Sequence, residues 1–387
     1  MPAIEGIESS KEEADRLVYA VDASGMEGET RQVLWPKNTQ EVQKAVLYAI
    51  ENKIDLVPRG AGTDLAGAAV PENSIVLDLT RMNRILETGA DYVIVEPGIV
   101  LDNLNRELGK KNLFLPVIPS SHSVCTIGGM ISCNAAGVRA IKYGKMREWV
   151  TELEVVTGKG EMIKVAGPQI DDFCGTEGTI GIITKARLRL AKPLKEYTAS
   201  IYKYGTPKEL AGKTKEAIGN RNVIAVEYMD KLTNKLSGDE EAYYLFIEYE
   251  GCEGDIKDPA EIEKRMHNRN IIGQTLSSNG YIIIEDPKIP HEKIPDFLEY
   301  LSERRIPNFG HIGIGVIHAR LKTDQDLEGF HEKVQSIGGE VSGEHGIGLT
   351  KRKYAPTETK NRIKELKQKY DPQNILNRGK IIDYETR

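Results

Sequence analysis

Glycine placement constrains this chain more than any other feature. Glycines are concentrated between residues 60 and 181, where three clusters stand out. The first is Arg59-Gly60-Ala61-Gly62-Thr63-Asp64-Leu65-Ala66-Gly67, directly after an apolar run at residues 54–57. The second spans residues 126–129 and 134–137, and the third is Gly175-Thr176-Glu177-Gly178-Thr179-Ile180-Gly181. Glycines in a loop that leaves a strand let backbone N–H groups converge on an oxyanion with no side chain in the way. The first cluster is not GxGxxG, because its third glycine comes five residues after Gly62, so a Rossmann nicotinamide site is not supported. One such loop is often only a turn. Three in one stretch imply an extended ligand of dinucleotide length.

Composition narrows the function classes. With 40% hydrophobic and 28% charged residues the chain reads as a soluble globular protein. Its formal net charge of -6 gives no reason to expect nucleic acid as a partner. Cys125, Cys133, Cys174 and Cys252 form no CxxC pair, which argues against an iron–sulfur cluster or structural zinc in this chain and for free thiols. No apolar run approaches the ~18 residues that span a bilayer, and the polar, acidic start is unlike a signal peptide. A cytoplasmic location is expected. The basic stretch at residues 351–380 reads as a solvated helix face, or as a docking surface for an electron acceptor or an anionic membrane.

Periodicity predicts an α+β fold. A helix over Thr39–Asn52 has Val42, Val46 and Ala49 at helical spacing, with Asn38 or Thr39 as cap. Strands are expected at 74–79, 92–95 and 180–190, with a hairpin from 150–156 and 161–165. Beyond residue 192 glycine thins out. Strands at 198–204, 223–228, 242–249, 281–285 and 312–321 interleave with helices at 207–218, 259–268, 294–304 and 326–337, suggesting a sheet with helices on one face. The domains expected are 1–192, 193–354, and a C-terminal segment, 355–387, that returns to the first.

The segments PRGAGTDLAG, VEPGIVLDNLNREL, PSSHSVCTIGGMISCNAAGVRAIKYGKMREWV and CGTEGTIGIIT stand in the order seen in the FAD-linked oxidases. So do AVEYMDK, GHIGIGVIH, SGEHGIG and YDPQNILNRGKI in the second half. The chain resembles that family over most of its length, above all the branch of glycolate oxidase flavin subunits, D-lactate dehydrogenases and D-2-hydroxyglutarate dehydrogenase. The resemblance implies a two-subdomain FAD-binding domain and an α+β cap domain with an antiparallel sheet. It implies that Arg59, Gly60, Ala61, Gly62, Thr63 and Gly67 bind the FAD pyrophosphate. Pro119, Ser120, Ser121, Thr126, Gly128, Gly129, Asn134 and Gly137 would line the flavin. Glu177, Gly178 and Ile182 would lie near the adenosine, and Asn377 would reach back from the C-terminus. The neighbourhood where some relatives attach flavin through a histidine holds Asp64, so non-covalent FAD is expected, His122 and Cys125 being the other attachment points available.

The same resemblance implies a divalent metal (Zn, Mn or Fe) held by His311, His318 and Glu344, with His345 as the base that takes a hydroxyl proton. On a regular strand over 312–321, His311 and His318 are seven apart and would face opposite sides unless Gly313 and Gly315 bend the chain. Ile314 and Val316 replace an Asp and an Asn of the family pattern, which predicts weaker metal binding. The arginine that helps relatives grip a substrate carboxylate is not found after Arg269, leaving Lys351, Arg352 and Arg139 as candidates. His267, His291 and His331 are expected to be exposed. The activity implied is oxidation of a small 2-hydroxy acid, D-lactate or glycolate type, to the 2-oxo acid. Electrons would pass to a quinone, a redox protein, oxygen or an iron–sulfur partner subunit. The alternatives are a transferase like alkylglycerone-phosphate synthase and a catalytically incomplete flavin subunit.

Overall fold

A computed structural model describes residues 4 and 6–383, the side chains of residues 267, 268 and 270 excepted, so His267 lies outside the described side chains. The chain divides into two units. One comprises Met1–Ala135, Lys145–Pro193 and His345–Arg387, the other Ala136–Gly144 and Leu194–Glu344. Two features fall outside the expected three-part division. The chain changes unit between Glu344 and His345, and Ala136–Gly144 belongs with the second unit, into whose core Ile141 packs.

The first unit holds two sheets. Strands β1 (Glu8–Ser10), β2 (Glu29–Trp35), β3 (Leu56–Arg59) and β4 (Glu72–Asp78) run in the order β1-β2-β4-β3, with β4 parallel to β2 and β3. The crossover from β2 to β3 is the helix Thr39–Asn52, which the Asn38 side chain caps by accepting from Glu41 N. Its Val42, Ala45, Val46 and Ala49 are fully buried, the i, i+3, i+4, i+7 stripe that holds a helix to a sheet. Strands β5 (Ile85–Thr88), β6 (Tyr92–Val95), β7 (Val150–Thr157), β8 (Met162–Ala166) and β9 (Gly181–Arg189) form the second sheet, antiparallel, in the order β5-β6-β9-β7-β8. The C-terminal helix Thr357–Tyr370 buries Ile363, Leu366 and Tyr370 in that sheet's core. The chain then runs alongside β3: Leu56 N donates to Ile375 O at 2.8 Å, and Asn377 N to Leu56 O at 2.7 Å.

The second unit is built on one antiparallel sheet of β10 (Tyr197–Tyr204), β11 (Val223–Met229), β12 (Tyr243–Glu250), β13 (Ile283–Glu285), β14 (Asn308–Gly310) and β15 (His318–Leu321), ordered β10-β12-β11-β14-β15-β13. Side chains alternate across a strand. Val226, Tyr228, Leu245, Ile247, Ala319 and Leu321 face an apolar core with the helices Pro207–Ile218, Ile294–Glu303 and Leu327–Ser336. Glu227, Glu248, His318 and Arg320 therefore face the other way, towards the helix Pro259–Ser278. Helices cover both faces, not the single face expected. The helix anticipated to end at 268 continues to Ser278 because Ile272 and Leu276 bury against Phe309.

Candidate functional site

The first glycine loop leaves β3 and meets the other two. A Cβ on Gly60 would collide with Thr126 Oγ1, one on Gly128 would sit 2.6 Å from Pro97 Cβ, and one on Gly178 2.6 Å from Pro58 Cγ. These glycines are therefore required by close approach. Gly62 and Gly67 also adopt φ of +70° and +81°, where a side chain is strained. Among the described residues, the N–H groups of Ala61, Gly62 and Thr63 donate to no group of the chain, leaving them available to an external acceptor.

Two polar side chains hold the loops together. Asp64 Oδ1 accepts from Ala66 N and Ala68 N, both at 2.8 Å. Asn377, 1% exposed, donates from Nδ2 to Ala68 O at 2.8 Å and to Glu177 O at 2.7 Å. It ties the first loop to the third. Glu177, buried with φ +53°, accepts from Ile347 N at 2.6 Å and Gly348 N at 2.8 Å. Burial, then the Asp64 carboxylate, push its pKa up to about 7 against the two backbone donors. Pro119, Ser120 and Ser121 form a turn in which His122 N donates to Pro119 O at 3.0 Å. Gly129 N reaches Thr126 Oγ1, Asn134 Oδ1 accepts from Arg147 N at 2.9 Å, and Ile182 is buried in β9. Gly137 lies in Ala136–Gly144, in the second unit.

The histidine pair is not on one strand. Residues 312–321 were expected as a strand, but β14 ends at Gly310, a 3-10 turn covers Ile312–Ile314, and β15 starts at His318. The chain reverses through Gly315, at φ +79°, and β14 pairs with β15 through Phe309 and His318. A Cβ on Gly315 would lie 2.5 Å from Ile289 O, and one on Gly310 2.6 Å from Val316 O. His311 and His318 thus sit at the two arms of a hairpin, ring centroids 5.3 Å apart at 80°. Glu344 faces both: its Oε2 is 3.4 Å from His311 Nε2 and its Oε1 3.3 Å from His318 Nε2. One donor atom from each of the three lies within 4.8 Å of the others. Asp286 anchors the approach to Glu344, accepting from Glu344 N at 2.8 Å and Gly343 N at 3.2 Å.

Two residues to which the sequence assigns no role complete the cluster. Glu227 of β11 places Oε1 2.6 Å from His311 Nδ1. Its Oε2 forms a 2.7 Å ion pair with Arg269 Nε, poorly aligned for a hydrogen bond. With Nδ1 engaged by Glu227, Nε2 is the ring atom that faces Glu344. Burial alone would lower the His311 pKa, but the carboxylates of Glu227 and Glu344 outweigh it and hold it up at about 9. The two carboxylates are thus set against Arg269 and a protonated His311. Glu227 lies in the AVEYMDK segment, but nothing in that segment assigns it a partner 84 residues further along the chain. A cavity of about 330 Å³ lies under the helix Pro259–Ser278, walled by Glu227 and Arg269 but not by the histidines.

Other expectations resolve differently. His331 is 1% exposed rather than on the surface, with Nε2 3.4 Å from Glu285 Oε2, because its helix buries that face against the core. His291 is half-buried and contacts Gly313 O at 3.2 Å. Arg139 is engaged by Glu248 at 2.7 Å, Arg352 donates to Gly379 O, and Lys351 is buried. His345, half-buried, opens the segment that belongs to the first unit. All four cysteines are free, and among the described residues no helix is long and apolar enough to cross a membrane.

Comparison with known proteins agrees over most of the chain. The family model for the FAD binding domain matches residues 30–166, and that for the C-terminal domain of FAD linked oxidases matches residues 250–381. The glycolate oxidase subunit GlcD of Bacillus subtilis is 29% identical, covering 97% of this chain and 94% of its own. The D-lactate dehydrogenase of Archaeoglobus fulgidus is 30% identical over 90% of this chain and 91% of its own. The D-2-hydroxyglutarate dehydrogenase of Stutzerimonas stutzeri is 30% identical over 90% of each. Among solved structures, an alkyldihydroxyacetonephosphate synthase aligns with a TM-score of 0.70 at 15% identity, over 96% of this chain and 82% of that one, a likeness of fold. The chain belongs to the FAD-linked oxidases, with FAD as its cofactor.

Proposed function

We propose that the protein oxidises a small 2-hydroxy acid, of the D-lactate or glycolate type, to the 2-oxo acid. The observation that carries the reading is the convergence of His311, His318 and Glu344 on one point, in a chain whose relatives bear the names of 2-hydroxy-acid oxidising enzymes. In this reading the N–H groups of residues 61–63 and the glycines at 60, 62 and 67 receive the pyrophosphate, and the glycines at 128 and 178 keep the neighbouring loops close enough to enclose FAD. Thr126, Gly129, Asn134, Pro119, Ser120 and Ser121 line the flavin, while Glu177 and Asn377 position the loops. Attachment is non-covalent. Cys125 is buried and its thiol is pushed up to about 11 by burial, so it is no nucleophile at neutral pH. His122 Nδ1 is held by Asp102 at 2.8 Å.

His311, His318 and Glu344 would hold a divalent cation, and two imidazoles with one carboxylate suit zinc, manganese or iron. That set leaves coordination positions for a hydroxyl and a carboxylate of the substrate. His345, next to Glu344 in the chain, takes the hydroxyl proton, as a neutral imidazole can near pH 7. Bound FAD supplies the acceptor for the hydride that leaves C2. The electrons go on to a quinone, oxygen or an iron–sulfur partner. Anaerobic titration of the yellow holoprotein with D-lactate, glycolate and D-2-hydroxyglutarate tests the reading: at least one should bleach the flavin, and a spectrum that none of them changes refutes it.

A further inference from the structure

Strand β15 carries a charge that the fold leaves unmatched. Ala319 and Leu321 face the apolar core, so His318 and Arg320 share the opposite face, with Cα atoms about 7 Å apart along the strand. Arg320 is only 8% exposed. Its Nε is buried and meets no hydrogen-bond partner among the described residues, and no carboxylate there lies within ion-pair distance of it. Neighbouring cations are matched: the buried Arg269 by Glu227 at 2.7 Å and the half-buried Arg139 by Glu248 at 2.7 Å. Room for the guanidinium is made by Gly273 on the overlying helix, where a Cβ would stand 2.5 Å from Arg320 Nη2.

A buried guanidinium without a counter-ion destabilises a fold, and an apolar side chain of similar volume there would be better tolerated. Beside His318, and opposite a glycine that makes space for it, the group lacks only an anion. Arginine offers carboxylates a planar, two-pronged donor. We propose that Arg320 grips a carboxylate of the substrate, so that this unit selects anionic molecules; the inference rests on the 2-hydroxy-acid reading above. Sequence patterning alone did not single the residue out.

The test is oxalate binding to the holoprotein by calorimetry, with Arg320→Gln, Arg320→Lys and Arg320→Met, together with thermal melting of each protein without oxalate. The wild type should bind oxalate, and Arg320→Gln should weaken it about 10- to 100-fold, the loss expected of a charged hydrogen-bonding partner. Arg320→Lys, which keeps the charge without the fork, should recover part of the affinity. Arg320→Met should melt no lower than wild type, because it removes an unmatched buried charge. No oxalate binding by the wild type, equal affinity in wild type and Arg320→Gln, or a lowered melting temperature for Arg320→Met would each overturn the proposal. Because binding is read without turnover, a wild type that binds oxalate through Arg320 yet oxidises no 2-hydroxy acid would sink the activity and leave the anion site standing.

Discussion

Replacing Glu227 by Gln should weaken metal binding and stability together. Glu227 is 2% exposed, with one oxygen 2.6 Å from His311 Nδ1 and the other 2.7 Å from Arg269 Nε, and Arg269 is itself 7% exposed. The amide keeps the shape and one acceptor but loses the charge. Arg269 then becomes a buried cation with no counter-ion, and His311 loses its charged orienting partner. Removing one member of a buried pair costs about 3–5 kcal/mol. Because the amide oxygen still accepts a hydrogen bond, about 3 kcal/mol is the appropriate figure, or roughly 6–12 °C in melting temperature for a unit of this size. The second effect is a loss of about tenfold in zinc affinity, the lower end for an orienting partner. Thermal unfolding with and without zinc, and competition with a chromogenic chelator, measure the two effects. The double variant Glu227→Gln/Arg269→Met separates them: it should regain most of the stability and none of the affinity. Wild-type melting and wild-type zinc affinity in Glu227→Gln would refute the reasoning.

The glycine loops yield three further expectations. Gly60→Ala drives a methyl into Thr126 Oγ1 and should purify with much less flavin, read as the ratio of flavin to protein absorbance; Gly109→Ala, with no atom within 4 Å of the new Cβ, is the control and should retain it. Asn377→Ala deprives the buried Ala68 and Glu177 carbonyls of their donor and should lower stability in urea by about 2–4 kcal/mol; an unchanged midpoint would remove the stapling role. Glu177 has a folded pKa of about 7, raised by burial, above an unfolded value near ~4.3. Its contribution to stability is therefore complete below ~4.3 and is lost as the pH climbs through about 7, roughly 4 kcal/mol in all. Urea unfolding of the flavin-free protein at pH 5 and pH 8 should show that loss in wild type and not in Glu177→Gln, and parallel profiles would contradict it.

What could be read from sequence was what is local or repeats a known order. The glycine loops, the helix Thr39–Asn52 with its Asn38 cap, and the antiparallel character of the second unit all follow from turn chemistry and periodicity. The hairpin did not, because an apolar run broken by glycines at 313 and 315 reads equally as a bulged strand. Only the close approaches of Gly310 to Val316 O and of Gly315 to Ile289 O decide for reversal. The helix Pro259–Ser278 was cut short because its apolar residues beyond 268 gain their meaning from Phe309, far along the chain. His331 looked exposed for a similar reason: the polar residues around it belong to the outer face of a helix whose inner face carries Phe330 and Val334 into the core. Burial of a charged side chain is a tertiary fact, and Glu227, Arg269 and Arg320 are all of that kind.

Ile314 and Val316 stand where the family pattern has an Asp and an Asn, and the proposed site has another group that can orient His311. A polar side chain in the hairpin would matter if it were what orients His311. That work falls instead to Glu227, reaching from β11 to His311 Nδ1. Val316 is fully buried and packs on Gly343, where a Cβ would sit 2.5 Å from it, just before Glu344. Its bulk, with Asp286 holding the Gly343 and Glu344 N–H groups, sets the backbone from which Glu344 projects. Restoring the family's residue should therefore harm the site. Val316→Asn would bury an amide against apolar surface at a cost of about 1–3 kcal/mol, with zinc affinity unchanged or lower because Glu344 is displaced. Tighter zinc binding by the Val316→Asn protein would show that the hairpin does lack an orienting group, and that Glu227 does not replace it.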